Sequence, residues 1–224
     1  MPTECRIHPK TELPSTDQIE RLRKLATSLV SDVFGRWAGA PGLIPIAGLP
    51  KGTVMVGPAM TVRTREGDNL VVHKALELVR AGEILVVDAG GSTDRAILGG
   101  LIGQYASSRG VAGIVVDGAV RDKSELDEDA PPVFARGLTH RGPYKDGPGD
   151  IRCDVAIAGL TVRDGDLIIG DEDGIAVIPR ERAEEIIALA EDKRSSEAAE
   201  RAAIASGAWD REWIDRSLTV VEIP

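Results

Sequence analysis

The chain has 224 residues, 42% of them hydrophobic, which is enough for one domain with its own core, and no stretch reaches the roughly 20 apolar residues of a membrane span. A formal net charge of −9 argues against a nucleic-acid partner, because phosphate neutralisation dominates such binding. Aromatics are only 3%, so the core must be Val, Ile, Leu and Ala, which favours α/β layers; Cys5 and Cys153 sit in no metal-binding pattern, fit a reducing compartment, and with no apolar signal core at the start predict a soluble cytoplasmic protein with no membrane partner.

Residues 1–14 read as an irregular lead to a single domain spanning 1–224. Ser15 and Gln18 have the spacing of a capping box, and Ile19, Leu22, Leu25, Leu29, Val33 and Trp37 continue at helical spacing, predicting one amphipathic helix that ends near Gly39. Asp32 is expected to be a solvated position on it. Residues 39–52 are rich in Gly and Pro and read as a loop. Strands are expected at Thr53 to Val56 and Ala59 to Thr64, interrupted by Gly57-Pro58. Asp68 or Asn69 can cap the next helix, which should turn Leu70, Val71, Ala75, Leu78 and Val79 inward and carries His73 one turn in. Glu83 to Asp88 is a buried strand, and Gly90 to Asp94 a Gly-rich turn into the following helix, able to present backbone amides to an anion or simply a tight strand-to-helix turn.

That helix opens the stretch around which the chain is organised, Gly99 to Leu126. Leu101, Ile102, Tyr105 and Ala106 recur at helical spacing, Arg109-Gly110 stops the helix, and Ala112 to Val116 is a core strand ended by Asp117-Gly118. Strand, helix and strand in this order make a βαβ unit and require part of the sheet to be parallel. Arg121-Asp122 then falls beyond a strand's carboxyl end, where open α/β sheets place ligands. A guanidinium beside a carboxylate suits an anionic substrate next to Mg²⁺ or Mn²⁺; it also suits a surface ion pair. Beyond it come a helical turn at 123–127, a strand at 133–135, a polar loop at 139–150 and four short strands between 153 and 178, with turns at 163–166 and 171–174. Residues 181–224 form a C-terminal helix and tail, with Ala183, Ile186, Ile187, Ala190 and Ala198 on the apolar side. The tail holds Trp209 and Trp213, which are expected to dock on the same or a neighbouring subunit.

The succession GDNLVVHKALE, EILVVDAGG, GGLIGQYASSRGVAGIVVDGAVRDKSEL and GDLIIGDEDGIAVIP resembles the family of 4-hydroxy-4-methyl-2-oxoglutarate aldolases and RraA-type regulators of ribonuclease E, over roughly residues 25–190. Its most specific part is Gly100, then twenty residues, Arg121-Asp122, two residues and Glu125. The resemblance implies a layered β/β/α swivelling α/β fold and a trimer or hexamer with sites at subunit interfaces. It implies a metal held by Asp122 and Glu125, Arg121 on the pyruvyl group and its enolate, and the Gly99, Gly100, Leu101 and Ile102 turn on the substrate carboxylate. Asn69 and His73 match polar positions of the family pattern and are carried over as substrate-binding. Some family aldolases have Asp where this chain has Gly100, which bears on the outer metal shell.

The chemistry of the expected reaction points the same way. Retro-aldol cleavage leaves an enolate that needs a cation or an imine. Lys51, Lys74, Lys123, Lys145 and Lys193 all fall in polar turns or on helices, so a divalent metal is the expected electron sink. The α-keto acid oxaloacetate would lose CO₂ through the same enolate. The other reading is a protein-binding regulator that keeps the scaffold without turnover.

Overall fold

The computed structural model describes residues 2–223. The chain opens with β1 (Cys5–Ile7), inside the lead expected to be irregular; it pairs in parallel with β8, residues Gly149–Ile151. The single helix expected after Ser15 is two, α1 (Thr16–Leu22) and α2 (Thr27–Val33). The capping box forms at Ser15. The break at residues 23–26 is fixed from far along the chain: the Thr27 amide donates to Asp171 Oδ2 (2.8 Å), which starts a new helix there. Trp37, expected inside, is 84% exposed, and Asp32 pairs at the surface with Arg36.

β2 (Ile44–Ala47) lies in the expected loop, antiparallel to β7 (Val133–Leu138). β3 (Met55–Thr64) runs straight through Gly57-Pro58. At Pro58 it leaves one partner, β11 (Leu167–Asp171), and at Ala59 it takes up another, β4 (Ile84–Asp88). Proline's missing N–H therefore falls at the change of partner. Gly57 is needed because a Cβ there would lie 2.5 Å from the Gly82 carbonyl.

α3 (Leu70–Leu78) buries Val71, Val72, Ala75 and Leu76; Leu70, expected inside, is exposed. The Gly90-Gly91 turn leads first into a short strand, β5 (Ala96–Leu98), and only then into α4 (Gly100–Ser108), which Arg109 and left-handed Gly110 terminate. Of its expected apolar face, Ile102 and Ala106 are buried while Leu101 and Tyr105 face outward. β6 (Gly113–Val120) continues past Asp117-Gly118 because a bulge lets Ala119 and Val120 pair with both β5 and β7. β4, β6 and β7 run parallel, as the βαβ order requires.

After α5 (Lys123–Asp129) come β7, β8, then β9 (Val155–Ile157), β10 (Leu160–Val162), β11 and β12 (Gly174–Ile178), the last two joined by the tight DEDG turn. α6 (Ala183–Ser206) packs its first half inward; Ala198 lies beyond that contact and is exposed. α7 (Glu212–Ser217) and the tail around it stay off the core, with Trp213 56% exposed.

The main sheet runs β1-β8-β3-β4-β6-β7-β2. Helices α3, α4 and α5 cover one face; β9 to β12 form a second layer on the other, and α1, α2 and α6 close the outside of that layer. The fold is a mixed α/β arrangement with a many-stranded sheet. A row of charges crosses the sheet, Arg6, Asp150, Arg63, Asp88, Asp117 and Arg136, one strand to the next. Asp88 and Asp117 also accept the Ala156 and Ala158 amides (3.3 and 2.9 Å), which pins the β9–β10 hairpin onto the sheet.

Candidate active site

The carboxyl ends of β5 and β6 meet the start of α4, and a cavity of about 120 Å³ lies there. Drug-sized ligands take roughly 300–1,000 Å³, so this volume suits a small acid. Leu98, Gly99, Leu101 and Ile102 form one wall, Asn69 and His73 from α3 a second, Arg121 and Asp122 a third, and Pro143 and Lys145 the last.

Asp122 is the pivot. It is a non-glycine residue in the left-handed region (φ 57°, ψ 46°), a conformation that costs energy and collects at functional sites. That twist ends β6 and brings Oδ2 back to within 3.3 Å of both the Gly100 amide and Arg121 Nε. A Cβ on Gly99 would fall 2.2 Å from Asp122 Oδ2, so the approach requires glycine. The first amides of a helix have no partner within it, and their dipoles favour an anion. Gly103 is the first to close back, onto the Gly99 carbonyl (3.0 Å), which leaves the Leu101 and Ile102 amides at the cavity.

Gly100 and Glu125 form a matched pair. A Cβ at Gly100 would lie 1.9 Å from Glu125 Oε2. Glu125 thus puts its carboxylate where a side chain at position 100 would start. It stands behind the first turn of α4 and does not line the cavity itself.

Asn69 is almost fully buried; its Nδ2 donates to the Ile97 carbonyl (2.8 Å), while Oδ1 has no partner among the described residues. An unpaired buried oxygen facing a cavity is costly unless a ligand donates to it. Asn69 does not cap α3 with its side chain; the Leu70 amide instead donates to Asp68 Oδ1 (2.9 Å). Burial lowers the His73 pKa, and Lys145 nearby lowers it further, so the imidazole is neutral at pH 7. Sequence reasoning missed Pro143 and Lys145 as cavity residues. Lys145 lies on an exposed loop, without the apolar surround an imine-forming lysine needs. No spacing links 143–145 to residues 69–73; only the fold joins them.

Among the described residues no cluster of three or more His, Cys, Asp or Glu is gathered for a metal. The donors near the cavity are hard oxygens, few in number. Mg²⁺ keeps several waters and needs only one or two carboxylates beside its substrate, so this donor set fits that class of ion and not zinc.

A family model described as Aldolase/RraA matches residues 27–177. This chain belongs to that family. It is 37% identical over 188 residues to a putative 4-hydroxy-4-methyl-2-oxoglutarate aldolase of Halalkalibacterium halodurans, covering 84% of this chain and 89% of the relative. Among solved structures, an uncharacterized protein from Pseudomonas syringae superposes with a TM-score of 0.78 at 25% identity, covering 88% of this chain and 96% of that one. RraAS2 of Streptomyces coelicolor, described as an unusual member of the RNase ES inhibitor RraA family, gives 0.75 at 29% identity, covering 84% and 98%. The family match spans Asn69, His73, the Gly99–Ile102 turn, Arg121, Asp122, Glu125 and Lys145, so the whole cavity falls within it.

Proposed function

We propose that this Aldolase/RraA member cleaves 4-hydroxy-2-oxo acids, of the 4-hydroxy-4-methyl-2-oxoglutarate type, to pyruvate with Mg²⁺ or Mn²⁺, and decarboxylates oxaloacetate through the same enolate. The observation that carries this reading is the left-handed Asp122, which sets Arg121 and a carboxylate together at the open amides of α4. The name of the Halalkalibacterium relative supports the substrate class.

In the cleavage the C3–C4 bond breaks and its electron pair becomes the enolate of pyruvate. The C4 hydroxyl loses its proton and becomes a carbonyl, and the enolate then takes a proton at C3. The Leu101 and Ile102 amides hold the substrate's C1 carboxylate at the helix N-terminus. Arg121 donates its fork to the 2-oxo oxygen, where charge develops. Asn69 Oδ1 accepts from the C4 hydroxyl, and neutral His73 is the wall residue able to take that proton. Lys145 meets the carboxylate at the far end of a diacid. Asp122, with Glu125 behind it, would hold the divalent ion, which when bound supplies Lewis-acid stabilisation of the developing negative charge.

The test is a screen of 4-hydroxy-2-oxo acids and oxaloacetate, reading pyruvate, with Mg²⁺ and with chelator. Metal-dependent pyruvate release from a diacid is expected. The likeness to RraAS2 favours the second reading, a protein-binding regulator of a ribonuclease. Absence of turnover on every acid, together with inhibition of a ribonuclease of the RNase E class, would establish that reading instead.

A further inference from the structure

The loop at 141–147 carries no regular structure, yet it is fastened along its whole length. At its start the Ala96 amide donates to the Arg141 carbonyl (2.9 Å) and Arg95 Nη1 to the Gly142 carbonyl (2.9 Å). In the middle the Tyr144 amide donates to Gly67 and the Asn69 amide to the Tyr144 carbonyl (2.8 and 3.1 Å). The Tyr144 ring carries Arg95 and Arg65 at 4.2 and 5.5 Å from its centre, and its hydroxyl takes a hydrogen bond from Arg95 Nη2 (2.9 Å). At its end the Asp146 and Gly147 amides both donate to Oδ2 of Asp68 (2.9 and 2.8 Å).

Asp68 is fully buried, and it joins two walls of the cavity. Its Oδ1 caps α3, which carries Asn69 and His73; its Oδ2 holds the loop end next to Lys145; Arg65 Nη2 neutralises it from outside (3.0 Å). Burial alone would raise the Asp68 pKa, but three backbone amides and Arg65 outweigh it and hold the carboxyl below its ordinary value. The carboxylate is thus a permanent anion at neutral pH, suited to a fixed anchor. Gly147 cannot carry a side chain, since a Cβ would lie 2.8 Å from the Asp68 carboxyl carbon. At the other end a Cβ on Gly142 would lie 2.9 Å from Arg121 Nη1, so the Arg121 guanidinium is seated against bare backbone.

We propose that residues 141–147 are a fixed strap with two separable positioning ends: Asp68 anchors the end that places Lys145 on the far carboxylate of a diacid, and Gly142 seats the Arg121 guanidinium on the enolate. The roles of Lys145 and Arg121 rest on the proposed function; the anchoring itself is read without turnover. Asp68 and Gly142 are positioning residues, acting through Lys145 and Arg121.

The experiment compares wild type, Asp68→Asn and Gly142→Ala by amide hydrogen exchange at 144–147, by calorimetric binding of oxalate in Mg²⁺, and by the KM and kcat for a 4-hydroxy-2-oxo diacid. Oxalate mimics the pyruvate enolate and has no far carboxylate at the Lys145 end. For Asp68→Asn, exchange at 144–147 speeds up about tenfold and KM rises about tenfold, as for a lost charge-assisted contact, while oxalate binds as in wild type. For Gly142→Ala, exchange at 144–147 is unchanged, oxalate binds more weakly, and kcat falls by up to about a hundredfold from a misplaced group. Wild-type exchange rates in Asp68→Asn, or equal loss of oxalate and diacid in that variant, would overturn the proposal. If Asp68→Asn does not fold, Tyr144→Phe loses only the hydroxyl bond to Arg95; faster exchange at 142–145 with unchanged oxalate binding supports the strap, and unchanged exchange overturns it. Failure of the wild type to release pyruvate contradicts the functional reading and leaves the exchange and oxalate results to decide the strap.

Discussion

At the scale of single residues, the site depends on two glycines that make room for two carboxylates. Gly99 admits Asp122 and Gly100 admits Glu125. Gly100→Asp drives its Cβ into Glu125 Oε2, an overpacking and like-charge clash that costs about 1–3 kcal/mol. Glu125→Ala in the same chain should restore part of that loss, because it removes the carboxylate but keeps the Glu125 Cβ, 2.7 Å from a Cβ at position 100. Thermal melts of the two single variants and the double variant measure the coupling; strict additivity would show that the residues do not share the space. Arg121→Lys keeps a positive charge and loses the fork. It should leave metal binding intact and lower turnover about a hundredfold to a thousandfold, the loss typical of one oxyanion donor. Turnover near the wild-type rate would reduce Arg121 to a partner of Asp122. In the sequence, Arg121-Asp122 was legible as a charged pair beyond a strand's carboxyl end, a pattern shared with surface ion pairs, and Gly99, Gly100 and Glu125 entered only through the resemblance to a known family. The sequence could not display Lys145, whose loop is held at the cavity by Gly67, Asp68 and Asn69, far back along the chain.

At the scale of elements, patterns within about ten residues were legible and long-range partners were not. α3, α4, β4 and the β11–β12 hairpin lie where periodicity and turn residues put them. The split of α1 from α2, the strand β1 and the strand β5 each depend on a partner distant in sequence or on an unforeseen bulge. A buried ion network ties several such segments together: Arg152 pairs with Glu83 (2.9 Å) and Asp164 (2.8 Å), and Arg80 also pairs with Glu83. Arg152→Met would strand these carboxylates inside and should cost about 3–5 kcal/mol in urea unfolding. Burial pulls the Glu83 pKa up, but Arg152 and Arg80 win and lower it. A lowered carboxyl adds stability above its unfolded pKa, and that stability disappears as pH falls through the folded value. Urea midpoints should therefore drop below about pH 4, and Glu83→Gln should flatten that fall. Asp166 works in the opposite sense: burial raises its pKa, so its contribution weakens as pH rises through the raised value. A fall unchanged in Glu83→Gln would move the acid sensitivity to Asp150, whose carboxyl is also held well below its ordinary range, chiefly by Arg6 and against a smaller upward pull from burial.

At the scale of the whole molecule, the exposed apolar side chains bear on assembly. Trp37 and Leu101 are 84% and 83% exposed, and the tail around α7 presents Trp213, Leu218, Val220, Val221 and Ile223. Scattered apolar residues need no partner, whereas a run of large ones on a tail, with Leu101 at the cavity, is the pattern of a surface that another copy covers. We expect a closed homotrimer or a pair of stacked trimers, with the tails covered by neighbouring copies. Light scattering at micromolar concentration should give that mass, and deletion of residues 208–224 should lower it; a monomer mass for the full chain would contradict this.

The central claim is that Asp122 and Arg121 form a metal-dependent site for pyruvate enolate chemistry. Its most direct test is pyruvate release from a 4-hydroxy-2-oxo diacid by wild type and Asp122→Asn, after chelation and after adding back Mg²⁺, with circular dichroism to confirm that both are folded. Wild-type turnover should vanish on chelation and return with Mg²⁺, and folded Asp122→Asn should stay inactive at every Mg²⁺ concentration. Full wild-type activity after exhaustive chelation, or an active Asp122→Asn, would contradict it.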